Sequence, residues 1–251
     1  MTPTTHRPCA VVPTFDNPDT VREVVLRLQT HGLPVVVVDD GSGPRGRAVV
    51  DGLADEGLAL VERHVGNRGK GAAVSTGFAR ARREGYTHAL QVDADLQHDL
   101  GDVPRFLRAS RRFPQALILG TPQFDDDAPF GRRHGRRVSN FVSALTTGGW
   151  VADDLLFGFR VYPLVALDGL SAGPRMEFDM EIVVRLIWRG TPVLNVPSPV
   201  RYPAGGVSHY RLLRDNVRVA RTHVRLVGEG LWRVPAAVVG GKALGRRLAP
   251  D

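Results

Sequence analysis

Asp93 and Asp95, one residue apart in Gln91-Val92-Asp93-Ala94-Asp95-Leu96-Gln97-His98, are the residues whose types and spacing point most directly to chemistry. The apolar segment His88–Val92 reads as a strand. Side chains at i and i+2 of an extended chain share a face, so both carboxylates are expected to address one site. Converging carboxylates repel each other unless a cation lies between them. A hard divalent ion held by one or two carboxylates and completed by phosphate oxygens meets that need. The pair is therefore a candidate metal–diphosphate site, although Asp-x-Asp alone also fits a solvated turn after a strand.

A second acidic pair ends the apolar run Val35-Val36-Val37-Val38-Asp39-Asp40-Gly41-Ser42. A carboxylate there can accept hydrogen bonds from a nucleobase N–H or a ribose hydroxyl; alternatively, Asp40 or Ser42 caps a helix. Gly41-Ser42-Gly43-Pro44-Arg45-Gly46 also fits the G-x-G-x-x-G of dinucleotide-binding folds, with Glu62 placed as a ribose-binding acid. Against that reading, two carboxylates before the glycines would repel a pyrophosphate, and Pro44 removes a backbone donor. Gly66-Asn67-Arg68-Gly69-Lys70-Gly71 looks like a phosphate loop, but glycine follows the lysine where the Walker pattern needs Ser or Thr. What remains is a cationic turn at a helix start, with Lys70 suited to anion contact, or a plain loop.

Such residues need a scaffold that brings strand ends together. Cys9–Val12, Val35–Val38, Leu58–Glu62, His88–Asp93 and Ala116–Gly120 read as strands. Between them, Asn17 caps a helix bearing Val21, Val24, Val25 and Leu28 at helical spacing, closed by Gly32, and Arg45–Ala54, Gly71–Arg83 and Val103–Ser110 read as further helices. This alternation predicts an α/β fold with a doubly wound, mostly parallel sheet and ligands at the C-terminal strand ends. The second half is less regular: an acidic loop over Pro122–Pro129, helices over Met176–Arg189 and Ser208–Val227, and a strand over Val193–Val196.

The 251 residues fit one large domain or a domain with a short appendage. With 43% hydrophobic and 24% charged residues the chain can bury a sizeable core, and its formal charge of +7 suits an anionic partner. The single cysteine, Cys9, excludes an internal disulfide framework and lies in an apolar run, as expected of a buried strand residue. Met1–Pro8 lacks the apolar core of a signal peptide, and no run approaches the ~20 apolar residues of a membrane span. A cytoplasmic protein is expected, peripheral at most to the inner membrane face.

In order and approximate spacing, Pro13-Thr14-Phe15-Asp16-Asn17, Val38-Asp39-Asp40-Gly41-Ser42, Asn67-Arg68-Gly69-Lys70-Gly71 and Asp93-Ala94-Asp95-Leu96-Gln97-His98 resemble the motifs of the family 2 glycosyltransferases with the GT-A fold. Gly158-Phe159-Arg160-Val161-Tyr162-Pro163 is similar to the corresponding stretch of polyprenyl-phosphate (dolichyl-phosphate mannose-type) sugar synthases. The resemblance covers roughly residues 7–210 and implies a GT-A domain over 1–207, with a basic amphipathic helix and tail over 208–251. It implies an inverting transfer from a GDP- or UDP-sugar to a membrane-associated acceptor, either a polyprenyl phosphate or a lipid or glycan hydroxyl. Pro13, Phe15, Asp16, Asp39, Asp40, Lys70, Asp93 and Asp95 would line the donor site. Asp93, Asp95 and Gln97 would hold Mg²⁺ or Mn²⁺ against the diphosphate, where the ion offsets charge on the leaving group.

On the acceptor side, Arg132, Arg133, Arg136 and Arg137 cluster at a helix start. Cations there oppose the macrodipole, at about 0.3–1 kcal/mol each, and a phosphate or lipid headgroup would relieve that opposition; the alternative is an exposed basic surface. The resemblance adds Arg160. The family's Arg-x-x-Gly-x-Ser-Lys stretch corresponds to Arg201–Arg211, with His209 in place of the lysine and Arg211 beyond it. A hydroxyl acceptor needs a general base and a phosphate does not. The resemblance implies a carboxylate of this segment in that part, with Asp179 the candidate base and Glu177 the reserve, unless they form an exposed acidic face or pair with Arg185.

In the late helix Arg211, Arg214, Arg218, Arg221 and Arg225 form one stripe, and Leu213, Val217, Ala220, Val224 and Val227 another. Either this helix lies on an anionic membrane with Leu231 and Trp232 as anchors, or it packs its apolar stripe on the core. The alternative to an enzyme is a non-catalytic GT-A-like basic module at anionic membrane surfaces. Nucleic acid is not an expected partner, since aromatics are only 7% and none alternate with the arginines.

Overall fold

Apolar strands alternate with amphipathic helices through the first half of the chain. The structure is a computed structural model that describes residues 5–123, 144–200, 212–239 and 243–249. Its strands are β1 (Pro8–Thr14), β2 (Val35–Asp39), β3 (Leu60–Arg63), β4 (His88–Gln91), β5 (Leu117–Gln123), β6 (Arg160–Pro163) and β7 (Val193–Pro199). The helices are α1 (Val21–Thr30), α2 (Pro44–Asp55), α3 (Lys70–Arg83), α4 (Val103–Arg112), α5 (Phe178–Trp188) and α6 (Leu212–Val239).

The strands form one sheet in the order β3-β2-β1-β4-β6-β5-β7. All pairings are parallel except those of β6, which runs antiparallel to both β4 and β5. Parallel strands covered on both faces must be apolar throughout, and all five positions of β2 are buried. Cys9, Val11, Val36 and Val38 face a core made with α3 and α5; Ala10, Val12, Val35 and Val37 face one made with α1, α2 and α4. Strand order reverses between β1 and β4. Open α/β sheets bind ligands outside the carboxyl strand ends at such a switch point, and there the turns after β1, β2 and β4 converge.

Two elements differ from their sequence-based reading. Strand β4 ends at Gln91, so Asp93 and Asp95 lie in the turn beyond it; this turn contains Leu96 at φ 62°. Their convergence comes from the turn, not from strand alternation. Strand β6 is short and carries a buried arginine, so it has no strand signature, and its insertion between β4 and β5 breaks the parallel order.

Helix α6 extends past the expected stop at Val227 and continues through Pro235. It packs on the core through Val219 and Leu226, and it is tied to α5 by charge. Glu181, almost fully buried, takes Arg185 and Arg225, each at 2.6 Å, and the backbone N–H of Gly173 at 2.9 Å. Arg132–Arg137, His209 and Arg211 lie outside the described residues. Replacing Glu181 by Gln removes the charge that both arginines share, so Glu181→Gln should lower stability by about 1–3 kcal/mol. Urea unfolding should show this as a lower midpoint with the slope unchanged.

Candidate active site

Three turns are bound to one another at the switch point by carboxylates acting on backbone N–H groups. Asp16, at φ 50°, accepts from Gly43 N (2.7 Å), and its own N–H donates to Ser42 Oγ (2.9 Å). Asp39 accepts from Ser42 N (2.8 Å) and Arg63 Nε (2.7 Å). Burial alone would raise its pKa, but Ser42 and Arg63 outweigh that and hold it below the usual carboxylate range. Asp40 accepts from Arg68 N (2.9 Å), Gly69 N (2.7 Å) and His64 Nδ1 (2.6 Å), and His64 Nε2 meets Thr76 Oγ1 at 2.9 Å.

These bonds revise several expectations. Asp39 is fully buried and Asp40 nearly so, so the pair is directed into the loops it organises and not toward a base or ribose. The amides of Ser42, Gly43, Arg68 and Gly69 are already engaged. A dinucleotide loop at Gly41–Gly46, or a phosphate cradle made from the Gly66–Gly71 backbone, has therefore lost those donors. A Cβ on Gly41 would come within 2.6 Å of the Gly66 backbone, so glycine is what lets these two turns touch. Pro13 is buried at the end of β1, while Phe15 and Asp16 lie part-exposed just beyond it.

The centre of the site is Lys70. Its Nζ lies 2.8 Å from Asp93 Oδ1, donates to Asp93 Oδ2 at 2.9 Å, and lies 2.8 Å from Asp179 Oδ2. Burial alone would lower the lysine's pKa, yet Asp179 and Asp93 together drive it above its usual value. Asp93 responds in the opposite sense: burial disfavours its charge, but Lys70 first and His98 second hold it far below the normal range. His98 Nε2 is 3.4 Å from Asp93 Oδ2, with the ring held between Phe157 and Phe159. Asp95 is pushed up by burial and by the charge of Asp93. Its Oδ1 accepts the N–H of Gln97 at 3.0 Å, and Thr20 fixes the intervening Ala94 by donating to its carbonyl at 2.5 Å.

A buried polar chain supports this cluster from below. Gln91 donates to Asp179 Oδ1 (2.9 Å) and accepts from Tyr162 Oη (3.3 Å). Arg160 is fully buried. It donates to the carbonyls of Phe157 (2.7 Å), Leu155 (2.5 Å) and Asp179 (2.5 Å), and to Tyr162 Oη (3.2 Å). Its expected part as an acceptor contact is corrected accordingly: its donors brace the β6 loop against α5. Asp179 does reach the site, but at 2% exposure and with both oxygens engaged. Glu177 is also buried; Oε1 accepts from Arg175 N at 3.3 Å, and Oε2 receives no hydrogen bond. Sequence reasoning missed Gln91, Tyr162 and His98. The available signal was polar residues inside otherwise apolar strands and loops, which are costly unless partnered.

The donor set suits a hard cation in part. Asp93 Oδ1 is buried with only the Lys70 ammonium against it, the charge of Asp93 is felt at Asp95, and Gln97 follows on the same turn. Among the described residues no three His, Cys, Asp or Glu side chains form a closed metal site. An ion here would therefore draw further ligands from water or a substrate, as Mg²⁺ and Mn²⁺ do beside phosphates.

The sequence model for glycosyl transferase family 2 matches residues 9–168, more than half of the chain. The chain belongs to that family. Relatives include a polyprenol monophosphomannose synthase of Mycolicibacterium smegmatis, 28% identical over 86% of this chain and 84% of its own. A UDP-N-acetylglucosamine–dolichyl-phosphate N-acetylglucosaminyltransferase of Methanococcus voltae is 25% identical over 64% of this chain and 71% of its own. Among solved structures, Mycobacterium tuberculosis glucosyl-3-phosphoglycerate synthase superposes with a TM-score of 0.71 at 16% identity, covering 89% of this chain and 81% of that one. That identity speaks for the fold alone, and the fold is the GT-A architecture expected from the motifs. The protein is thus a glycosyltransferase, and the matched span contains Lys70, Asp93 and Asp95.

In this glycosyltransferase, Gly158 passes directly over the central ion pair. A Cβ there would lie 2.6 Å from Asp93 Oδ2 and 3.0 Å from Lys70 Nζ. Gly158→Ala should therefore displace Asp93 and weaken metal-dependent nucleotide binding by roughly tenfold, the scale of a 1–3 kcal/mol overpacking strain. Calorimetric titration of the variant beside the wild type measures this.

Proposed function

We propose that this glycosyltransferase moves a sugar, with inversion, from a nucleoside-diphosphate sugar to a lipid-linked phosphate at an anionic membrane surface. The observation that carries the reading is Asp93 and Asp95 on one turn at the switch point of a family 2 fold, with a lysine ammonium against both oxygens of Asp93. Asp93, Asp95 and Gln97 would hold Mg²⁺ or Mn²⁺, and the bound ion would offset charge on the departing diphosphate. Structures of the glucosyl-3-phosphoglycerate synthase contain Mn²⁺ and UDP-glucose, which supports a divalent ion and a nucleotide sugar here. The part-exposed Phe15 and Asp16 turn is the surface offered to the nucleoside.

The choice of a phosphate acceptor rests on Asp179 and Glu177. A phosphate oxygen is already anionic at neutral pH and attacks without help, whereas a hydroxyl must lose a proton to a base. Asp179 is committed to Lys70 and Gln91, and Glu177 is buried beneath the loop 173–175. Neither presents a free carboxylate to an incoming hydroxyl. The names of the Mycolicibacterium and Methanococcus relatives, with polyprenol and dolichyl-phosphate acceptors, point the same way.

Membrane association is read from α6. Its core-facing residues are Val219, Thr222, Leu226 and Gly230, while Val217, Ala220, Val224, Leu231 and Trp232 face outward. Leu231 and Trp232 are 68% and 82% exposed, an outlay of large apolar surface that an interfacial helix would bury. Arg221 is exposed on the same helix, and Arg225 and Arg233 are half-exposed; with the net charge of +7 this favours an anionic surface. Arg225 is shared with Glu181, so the expected arginine stripe serves packing as well as the surface. No helix among the described residues is long and apolar enough to cross a membrane. The outward face of α6 would thus form the membrane-facing surface, while residues 243–249 pack back on β7 and α5.

Two measurements test the reading. UDP or GDP should bind in calorimetry with Mn²⁺ or Mg²⁺ and not with EDTA, and Asp95→Ala should abolish both binding and transfer while melting like the wild type. No nucleotide binding with either metal, or full activity in Asp95→Ala, would overturn it. The protein should also sediment with phosphatidylglycerol vesicles at low salt, and Leu231→Ser/Trp232→Ser should lose that binding by roughly tenfold or more. Wild type remaining in the supernatant would remove the membrane contact.

A further inference from the structure

The donor-site reading accounts for Asp93 and Asp95 but leaves Lys70 doing something unusual. Its ammonium lies within 2.9 Å of both oxygens of a carboxylate that a divalent ion is expected to use, and within 2.8 Å of a second carboxylate, Asp179. A cation so placed makes three clustered acids compatible in a buried site, since Asp93, Asp95 and Asp179 would otherwise repel one another. It also competes with any metal for Asp93. The two anchors are not equivalent. Asp179 is held on its other oxygen by Gln91, with Arg160 3.9 Å away, and sits on a helix in the protein interior. Asp93 lies on a turn, is the more exposed of the two, and keeps one oxygen without a directed hydrogen bond. Lys70 itself is the first residue of α3, so its four-carbon stem starts at a helix end and its ammonium can change partners about a fixed backbone.

Resting on the donor-site reading above, we propose that Lys70 is a resident counter-cation. It holds Asp93 in place before substrate binds, yields Asp93 to the metal, and turns its ammonium to the donor's diphosphate while pivoting on Asp179. Lys70 is then a positioning residue for the carboxylates and a direct contact of the diphosphate. Asp179 is the pivot of that exchange and not a proton acceptor. The arrangement makes metal and nucleotide bind in concert: the ion alone must displace the lysine, whereas the ion with a diphosphate gives the displaced charge a new partner.

The test separates the two affinities. Mn²⁺ alone, followed by the electron paramagnetic resonance signal of the free ion, is titrated into full-length wild type and Lys70→Met. It is also titrated into the charge-balanced double variant Lys70→Met/Asp179→Asn, which removes the lysine together with its pivot and remains informative where the single variant fails to fold. UDP or GDP, whichever the wild type takes, is then titrated at saturating Mn²⁺. The variants should bind Mn²⁺ alone on the order of tenfold more tightly, because a positive charge within about 3–4 Å of the ion's ligand is gone. They should bind the nucleotide on the order of tenfold more weakly. A purely structural lysine would weaken both affinities, and that result, or no change in either, overturns the proposal. Wild type that binds neither Mn²⁺ nor nucleotide sinks the donor-site reading itself, a result distinct from unchanged variants beside a wild type that binds both.

Discussion

The site depends on one electrostatic constraint: carboxylates brought together at a buried sheet end must be neutralised. Lys70 meets it for Asp93 and Asp179 at 2.8–2.9 Å. Much of the surrounding structure follows from keeping that ammonium in position. Gly158 must lack a side chain because its backbone covers the pair. Gln91 and Tyr162 are buried polar residues because Asp179's second oxygen needs a donor and that donor needs a partner of its own. Arg160 is buried because its guanidinium donates to carbonyls of the loop before β6 and of the first turn of α5. Buried polar groups are tolerable only when the chain of partners closes, and here it runs from Lys70 to the backbone of α5.

The two acidic pairs look alike in sequence and do opposite work. Asp39 and Asp40 follow β2 closely enough to be captured by the backbone of the next turns, and five donors take up their four oxygens. Asp93 and Asp95 lie in the turn beyond β4, ahead of Leu96 in its left-handed conformation; Asp93 is neutralised by the Lys70 side chain, and Asp95 accepts one backbone N–H, from Gln97. Carboxylates satisfied by N–H groups of fixed geometry are structural; carboxylates neutralised by one long side chain can change partners. The distinction comes from donor identity, which residue type and spacing do not encode.

That is also why the sequence was legible where it was. The wholly apolar β2, the helical spacing of α1 and the glycine-closed turns carry local signals, and the alternating architecture and the location of the site follow from them. The metal-pair motif and its family were readable for the same reason. The resemblance could not indicate that Arg160 faces inward, because its position within the motif says nothing about the carbonyls of Leu155, Phe157 and Asp179 gathered around it. The Lys70–Asp179 pair spans 109 positions (179 minus 70) and two helices; nothing periodic links them. Helix α6 was half legible. Its outward apolar residues were identified, but its inward face includes Thr222 and Gly230, chosen for close approach to its neighbours and invisible to a hydrophobic count.

The Asp93–His98 turn and the end of β7 share a mechanical link. His98, the last residue of the motif that begins at Asp93, forms an isolated antiparallel bridge with Val200, just beyond β7. Ser198, two residues earlier, is held by Asp102 at 2.8 Å, at the start of the helix that follows the motif. The Asp93–His98 turn and the helix after it are therefore tied at two points to the end of β7. If Asp93 exchanges its lysine for a metal, the turn that moves is the one bridged to Val200. The position of that turn and the end of β7 are then coupled through the backbone bridge and the Ser198–Asp102 bond.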